Sequence, residues 1–161
     1  MLASLSACSA IRRMLLVGLV AFAGGLAGAC SPQDGHGMAT ATSQPSLYDR
    51  LGGQPAITAV VDDFVANVAA DPRINQRFAD TDIPRLKHLL VEQICQASGG
   101  PCTYTGRDMR TTHAGMRITE TEFNALVADL VKSLDKFKVG AQEQQELLAA
   151  LGGMKADIVD A

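Results

Sequence analysis

The sequence predicts an all-α domain that begins near residue 46 and follows an N-terminal export segment. Apolar residues recur at the three-and-four spacing of amphipathic helices throughout this domain, and no sustained period-two alternation marks a strand. Clusters of Gly and Pro separate the helical patterns. The residues before position 46 differ sharply in composition from the rest, which indicates a single folded domain.

A first long helix is predicted after Gly52 and Gly53. It should end at Asp71-Pro72, because the residue before a proline avoids the helical conformation. A short helical turn is expected at residues 74–78. The apolar stripe of the long helix consists of Ile57, Val60, Val61, Phe64, Val65 and Val68.

A second long helix is predicted from the capping residue Asp82 to about Ala97, where the Gly-Gly-Pro sequence at 99–101 stops it. The segment 103–118 has weak periodicity and several Thr and Gly residues, so it is predicted to be mostly loop. The inward stripe of the helix is Leu86, Leu89, Leu90 and Ile94.

Thr119 and Glu122 form a capping box that predicts the start of a third long helix. Its stripe is Phe123, Leu126, Val127, Leu130, Val131 and Leu134. The last helix is expected to loosen or kink at Gly152-Gly153. Its apolar residues are Leu147, Leu148, Leu151, Met154 and Ile158.

Residues 1–29 have the layout of a bacterial signal peptide, with two arginines before an apolar run. This run is shorter than the roughly 20 residues that a bilayer-spanning helix needs. The sequence Ala-Gly-Ala-Cys at 27–30 favours cleavage before Cys30 and its lipidation, while cleavage by an ordinary signal peptidase and a retained anchor stay open. Residues 30–45 are predicted to be a flexible polar tether. We therefore expect a periplasmic domain, residues 46–161, that contacts the membrane through a lipid anchor only.

Charge and motifs exclude several classes of function. The formal net charge is −3, and the Lys and Arg residues are scattered, so nothing indicates a nucleic-acid partner. Hydrolase and nucleotide-binding motifs do not occur.

Cys95 and Cys102 are the only cysteine pair in the domain. In an oxidising compartment this pair should form a disulfide. The alternatives are a redox-active or a metal-binding pair, although the spacing of seven matches neither the C-x-x-C motif nor a zinc knuckle.

His113 lies in the poorly helical segment between two strongly amphipathic helices. A flat apolar cofactor packed between this segment and the face of Leu86 and Leu90 would order it, with the imidazole as an axial iron ligand. An ordinary core or surface histidine is the alternative that the pattern alone leaves open.

The stretch from Ser46 to Val159 resembles the group 1 truncated haemoglobins over essentially its whole length. The resemblance implies a two-over-two helical globin with a very short first helix and a proximal helix that is reduced to a loop and one turn. The matching stretches are Ser-Leu-Tyr-Asp-Arg-Leu-Gly-Gly at 46–53, Val-Asp-Asp-Phe at 61–64, Asp-Pro-Arg at 71–73, Phe78, Arg-Leu-Lys at 85–87, Gly-Gly-Pro at 99–101, Tyr-Thr-Gly at 104–106, Met109, His-Ala-Gly at 113–115 and Ile-Thr at 118–119.

The same resemblance implies a haem b cofactor with His113 as the proximal iron ligand. No C-x-x-C-H attachment motif occurs, so the haem is expected to be non-covalent. The other residues that the resemblance assigns to the haem pocket are Phe64, Val65, Phe78, Leu86, Leu90, Tyr104, Met109, Ile118, Phe123 and Leu126.

Two positions depart from the family pattern. Val65 stands where the family usually has a tyrosine that hydrogen-bonds the bound gas, and Leu90 replaces the usual glutamine on the facing helix. Distal donors are a principal control on oxygen binding, so we expect weaker oxygen retention than in relatives that keep the tyrosine.

His88 lies next to, but not at, the position where some relatives supply a second histidine ligand to the iron. Helical spacing favours an outward-facing side chain over a sixth iron ligand.

The function that these observations favour is reversible binding of O₂, NO and CO, with nitric oxide dioxygenase-like or peroxidase-like side activity left open. A membrane-tethered haem redox or sensor module with a redox partner is the second hypothesis. A haem-free helical lipoprotein that serves interaction only is the third.

Overall fold

The computed structural model describes residues 44–161. The predicted signal peptide, Cys30 and most of the predicted tether lie outside the described residues. Within 44–161 the fold is all-α, as predicted, and no strand forms; one isolated bridge pairs Ile118 with Val159. The helices are α1 Leu47–Arg50, α2 Gly53–Ala70, α3 Ile83–Ala97, α4 Met109–His113, α5 Glu120–Lys136 and α6 Ala141–Gly152, with 3₁₀ turns at Asn75–Phe78 and Lys155–Asp157.

Two pairs of helices form the body of the domain. Helix α2 packs against α3 and α5, and α6 packs against the same two helices, α3 and α5. The α2 stripe that the sequence predicts is buried along its whole length. The core residues from the other elements are Ile74, Val91, Ile94, Cys95, Ala125, Leu130, Leu134 and Leu147.

Capping side chains fix where the helices begin. The Asp82 carboxylate accepts a hydrogen bond of 3.0 Å from the Arg85 N–H, which starts α3 as predicted. Thr119 and Glu122 form the predicted capping box of α5, with bonds in both directions. The α5 cap marks the end of the 103–118 segment that carries α4.

The C-terminal helix differs from its prediction. Helix α6 does not continue through the glycine pair with a kink; it ends at Gly152, and a separate 3₁₀ turn follows. Two adjacent glycines add backbone freedom that a continuous helix would have to remove, and they bring no side chains to pack. The last residues therefore run separately toward the segment around Ile118.

Cys95 and Cys102 form a disulfide in the structure, with their Cα atoms 5.7 Å apart. The bond joins α3 to the loop that precedes Tyr104. Among the described residues, none of the helices has the length and apolar character that crossing a bilayer requires.

Candidate functional site

A cavity of about 610 Å³ lies among α2, α3, α4, α5 and the C-terminal segment. One part of its lining, which we call the α2–α3 wall, comes from residues 64–94. A second part, which we call the His113 wall, consists of Tyr104, Met109, Thr112 and His113. Residues of α5, α6 and the C-terminal segment complete the lining: Phe123, Leu126, Val127, Leu130, Leu148, Leu151, Gly152, Met154 and Ile158.

The structure brings together all but one of the residues that the resemblance assigns to the pocket. The exception is Ile118, which does not line the cavity. Its backbone is held by the bridge to Val159, and its carbonyl accepts a 3.0 Å hydrogen bond from the Asp160 N–H. In this structure Ile118 therefore lies at the contact with the C-terminal segment. The residues that do line the cavity are Phe64, Val65, Phe78, Leu86, Leu90, Tyr104, Met109, His113, Phe123 and Leu126.

His113 is the last residue of α4, a helix that begins when the Asp108 carboxylate accepts a 2.8 Å hydrogen bond from the Thr111 N–H. The His113 Nδ1 lies 2.8 Å from the carbonyl oxygen of Met109. A carbonyl oxygen can only accept a hydrogen bond, so Nδ1 must carry the proton. In the neutral ring this leaves Nε2 with a free lone pair, the form in which histidine binds a metal.

The α2–α3 wall offers no donor at the two positions that depart from the family pattern. Val65 and Leu90 both line the cavity, and Val65 is almost fully buried. Phe64 and Phe78 flank this region with aromatic rings. Around Val65 and Leu90 the lining therefore offers van der Waals contact instead of hydrogen bonds.

Helical spacing favours an outward-facing His88 side chain. In the structure this side chain lies outside the cavity lining. Its side chain is 69% exposed and pairs with Glu92 at 3.1 Å. The Glu92 carboxylate also accepts a 2.9 Å hydrogen bond from the Thr105 N–H, and hydrogen bonds from Thr105 are the main reason that its pKa lies below the ordinary value. His88 and Glu92 thus form a surface contact between α3 and the loop after the disulfide.

Sequence reasoning missed several polar and C-terminal residues of the lining. Gln93 lines the cavity, and its Nε2 donates weakly to the sulfur atoms of Met154 at 3.3 Å and Met109 at 3.6 Å. Gln93 stands three residues after Leu90, so the inward stripe of α3 could have identified it. Asn75 also lines the cavity, and its Oδ1 is buried without a hydrogen-bond partner. Nothing in its local sequence distinguishes it from a turn residue.

The donor set suits a metalloporphyrin better than a protein-bound metal ion. The described residues contain no group of three or more His, Cys, Asp or Glu side chains that could hold a metal by themselves. One imidazole with a free lone pair, in a mostly apolar cavity within the ordinary size range of cofactor sites, fits a group that brings its other ligands with it. The residues present therefore fit haem.

Comparison with known proteins agrees with this geometry. A sequence model of the family described as bacterial-like globin matches residues 46–160. The group 1 truncated haemoglobin GlbN of Mycolicibacterium paratuberculosis is 35% identical over 113 residues, which cover 70% of this chain and 83% of that protein. GlbN of a Nostoc species is 35% identical over 115 residues, which cover 71% of this chain and 98% of that protein.

Solved structures of truncated haemoglobins have the same fold. The truncated haemoglobin of Tetrahymena pyriformis in its Fe(III) form superposes with a TM-score of 0.70 at 26% identity, covering 73% of this chain and all of that one (100%). The 2/2 haemoglobin of a Synechococcus species, solved in the cyanomet state with covalently attached haem, gives a TM-score of 0.68 at 29% identity and the same coverage, 73% and 100%.

Proposed function

Because the chain belongs to the bacterial-like globin family, with group 1 truncated haemoglobins as its relatives, we propose that it holds a non-covalent haem b and binds diatomic gases reversibly. The observation that carries the proposal is the His113 side chain in the cavity lining, with Nδ1 bonded to the Met109 carbonyl at 2.8 Å and Nε2 left free. O₂, NO and CO are the proposed ligands.

A bound haem would supply iron with a coordination position open to a diatomic gas. The chain would supply the proximal ligand through His113 Nε2, and the Met109 carbonyl would fix the orientation and tautomer of the ring. Phe78, Leu86 and Phe123 would contribute apolar contact and exclude water.

The α2–α3 wall supports a specific ligand-binding property. With Val65 and Leu90 in the lining, neither position can donate a hydrogen bond to a polar bound gas. CO, which depends less on such a donor, should be retained relatively better than O₂. We therefore propose a protein that releases oxygen quickly.

The test is reconstitution of the purified protein with haemin, followed by ferric, ferrous and CO-bound absorption spectra. The proposal expects one haem per chain, a Soret band, and a shift of this band when CO is added to the reduced protein. His113→Ala should bind haem weakly and give an altered ferrous spectrum. A purified protein that takes up no haem would contradict the proposal and favour the haem-free interaction domain.

Export and lipidation at Cys30 are a separate proposal, supported by the sequence pattern at residues 1–30. Radiolabelled palmitate should be incorporated into the protein and lost in Cys30→Ala, and the unmodified variant should appear in the soluble periplasmic fraction. Labelling that persists in Cys30→Ala would overturn the anchor.

A further inference from the structure

Arg77 lies in the 3₁₀ turn Asn75–Phe78, between two residues that line the cavity, Gln76 and Phe78. The Arg77 side chain itself does not line the cavity. The Arg77 Nε donates to Glu122 Oε1 at 2.7 Å, and Nη1 donates to the Met116 carbonyl oxygen at 3.0 Å. One guanidinium thus contacts two separate segments of the chain.

Each partner of Arg77 is linked to a residue that lines the cavity, one by a hydrogen bond and one as its neighbour in the chain. The Met116 N–H donates a 3.0 Å hydrogen bond to the carbonyl oxygen of His113. Glu122 precedes Phe123, which lines the cavity. Arg77 therefore connects the turn that carries Phe78 to the turn that follows His113.

We propose that Arg77 is a positioning residue that holds the Phe78 turn and the His113 turn at a fixed separation and so slows the loss of haem from the cavity. This role rests on the proposed function, because it assumes that haem occupies the cavity.

The geometry makes this contact stronger than an ordinary surface ion pair. Glu122 is already fixed, because its Oε2 accepts hydrogen bonds from the Thr119 N–H at 2.9 Å and the Thr119 hydroxyl at 2.8 Å. Little side-chain entropy remains to be lost when Arg77 binds it. The Glu122 side chain is only 20% exposed, and the planar guanidinium satisfies a carboxylate and a carbonyl at once. The hydrogen bond from Arg77 is also the largest reason that the pKa of Glu122 falls to about 2.

Arg50 offers a matched control. It too is an arginine that contacts both a carboxylate and a carbonyl: it pairs with Glu143 and Glu146, its Nη1 donates to the Pro45 carbonyl oxygen at 3.2 Å, and its side chain is 25% exposed. It joins α1 to α6, and neither Arg50 nor its partners line the cavity. The same substitution at Arg50 removes a comparable set of contacts and leaves the Phe78 turn and the turn after His113 unchanged.

The experiment measures haem dissociation from the loaded protein into an excess of a haem-scavenging globin. Arg77→Met should lose haem about threefold to tenfold faster than the unaltered protein, while Arg50→Met should stay within about twofold. Glu122→Gln is the second variant, because glutamine keeps the capping box while the charge is lost. It should change the rate in the same direction as Arg77→Met but less.

Two further readouts separate positioning from general stability. The iron–histidine stretching band of the ferrous protein should shift or broaden in Arg77→Met and not in Arg50→Met. Amide hydrogen exchange at Met116, measured on the protein as purified, should accelerate only in Arg77→Met and Glu122→Gln.

Each result decides one question. Equal haem loss, equal vibrational bands and equal exchange at Met116 in Arg77→Met and Arg50→Met would overturn the role of Arg77 and leave the proposed function intact. Failure of the unaltered protein to take up haem would overturn the proposed function, while the exchange comparison at Met116 would still decide whether Arg77 holds the two turns together.

Discussion

The two walls of the cavity are built in different ways. The α2–α3 wall comes mainly from helices of 18 and 15 residues, whose apolar stripes pack against each other. The His113 wall carries only the five-residue helix α4. Backbone bonds from distant residues hold the turn that follows it: the Gly115 N–H donates to the Ala161 carbonyl, and the Asp160 N–H to the Ile118 carbonyl, both at 3.0 Å.

Because the two walls are built differently, they should respond differently to single substitutions. A wall made of long helices is stabilised by the same burial that stabilises the domain. A wall made of a short helix depends on a few named contacts, each of which one substitution can remove. Changes to the α2–α3 wall should therefore alter what the cavity binds, whereas changes around His113 should alter how firmly a cofactor is held.

Removal of the disulfide should have the largest effect on stability, because the bond joins the end of α3 to the loop before the His113 wall. A loop closed at a separation of seven residues is worth about 2–3 kcal/mol in the chain-entropy model. We expect the free energy of unfolding of Cys95→Ala/Cys102→Ala to fall by about that amount in urea titrations. The unaltered protein under reducing conditions is the control. A loss below about 0.5 kcal/mol would show that the bond does not stabilise this junction.

Val65→Tyr tests the α2–α3 wall. A hydroxyl at this position would supply a hydrogen-bond donor that neither Val65 nor Leu90 provides, and such a bond is worth about 1–1.5 kcal/mol. The oxygen dissociation rate of the ferrous protein should therefore fall by about tenfold in stopped-flow measurements. Val65→Phe, which adds the ring without the hydroxyl, is the control and should not slow dissociation as much. An unaltered protein that releases oxygen as slowly as Val65→Tyr contradicts the proposed weak retention.

Acid should weaken the ion pair between Arg77 and Glu122, with a smaller and more gradual effect on stability. The hydrogen bond from Arg77 is the largest reason that folding lowers the pKa of Glu122 from its ordinary value of 4.5 to about 2. Because the pKa is lowered on folding, this group stabilises the fold above pH 4.5, and its contribution is lost as the pH falls toward about 2. Denaturation curves of Glu122→Gln should accordingly show a shallower loss of stability over this range. Parallel curves for the two proteins would argue against a contribution from the ion pair.

The smallest effect is expected at His88, which lies outside the cavity lining and is mostly exposed. The ferric absorption spectrum of His88→Ala should match that of the unaltered protein. Glu92, its partner, keeps its hydrogen bonds to Thr105. A low-spin ferric spectrum that disappears in His88→Ala would show instead that the histidine reaches the iron.

The long helices of the α2–α3 wall could be predicted from the sequence, whereas the short helix of the His113 wall could not. Periodicity predicted α2, α3 and α5, because a buried stripe repeats every three or four residues and each residue carries its own signal. The position of His113 came from the family resemblance, since a short helix has almost no periodicity to detect. The contact between Ile118 and the C-terminal segment leaves no local signal in the sequence, because that segment is reached only after the chain turns back.

The contacts of Arg77 could not be predicted from the sequence either. Its contacts lie 45 residues away at Glu122 and 39 residues away at Met116, and no local pattern links such positions. In the sequence it is one of several scattered basic residues. Only the fold brings it to the turn that follows His113.

Ligand rescue of a cavity variant tests whether His113 is the iron ligand. In His113→Gly, the haem affinity of the protein should fall sharply, and added imidazole should restore both the binding and the ferrous spectrum, because the free base replaces the missing Nε2. If His113→Gly binds haem with unchanged affinity and shows the same iron–histidine band without imidazole, another residue is the ligand and this account of the cavity is wrong.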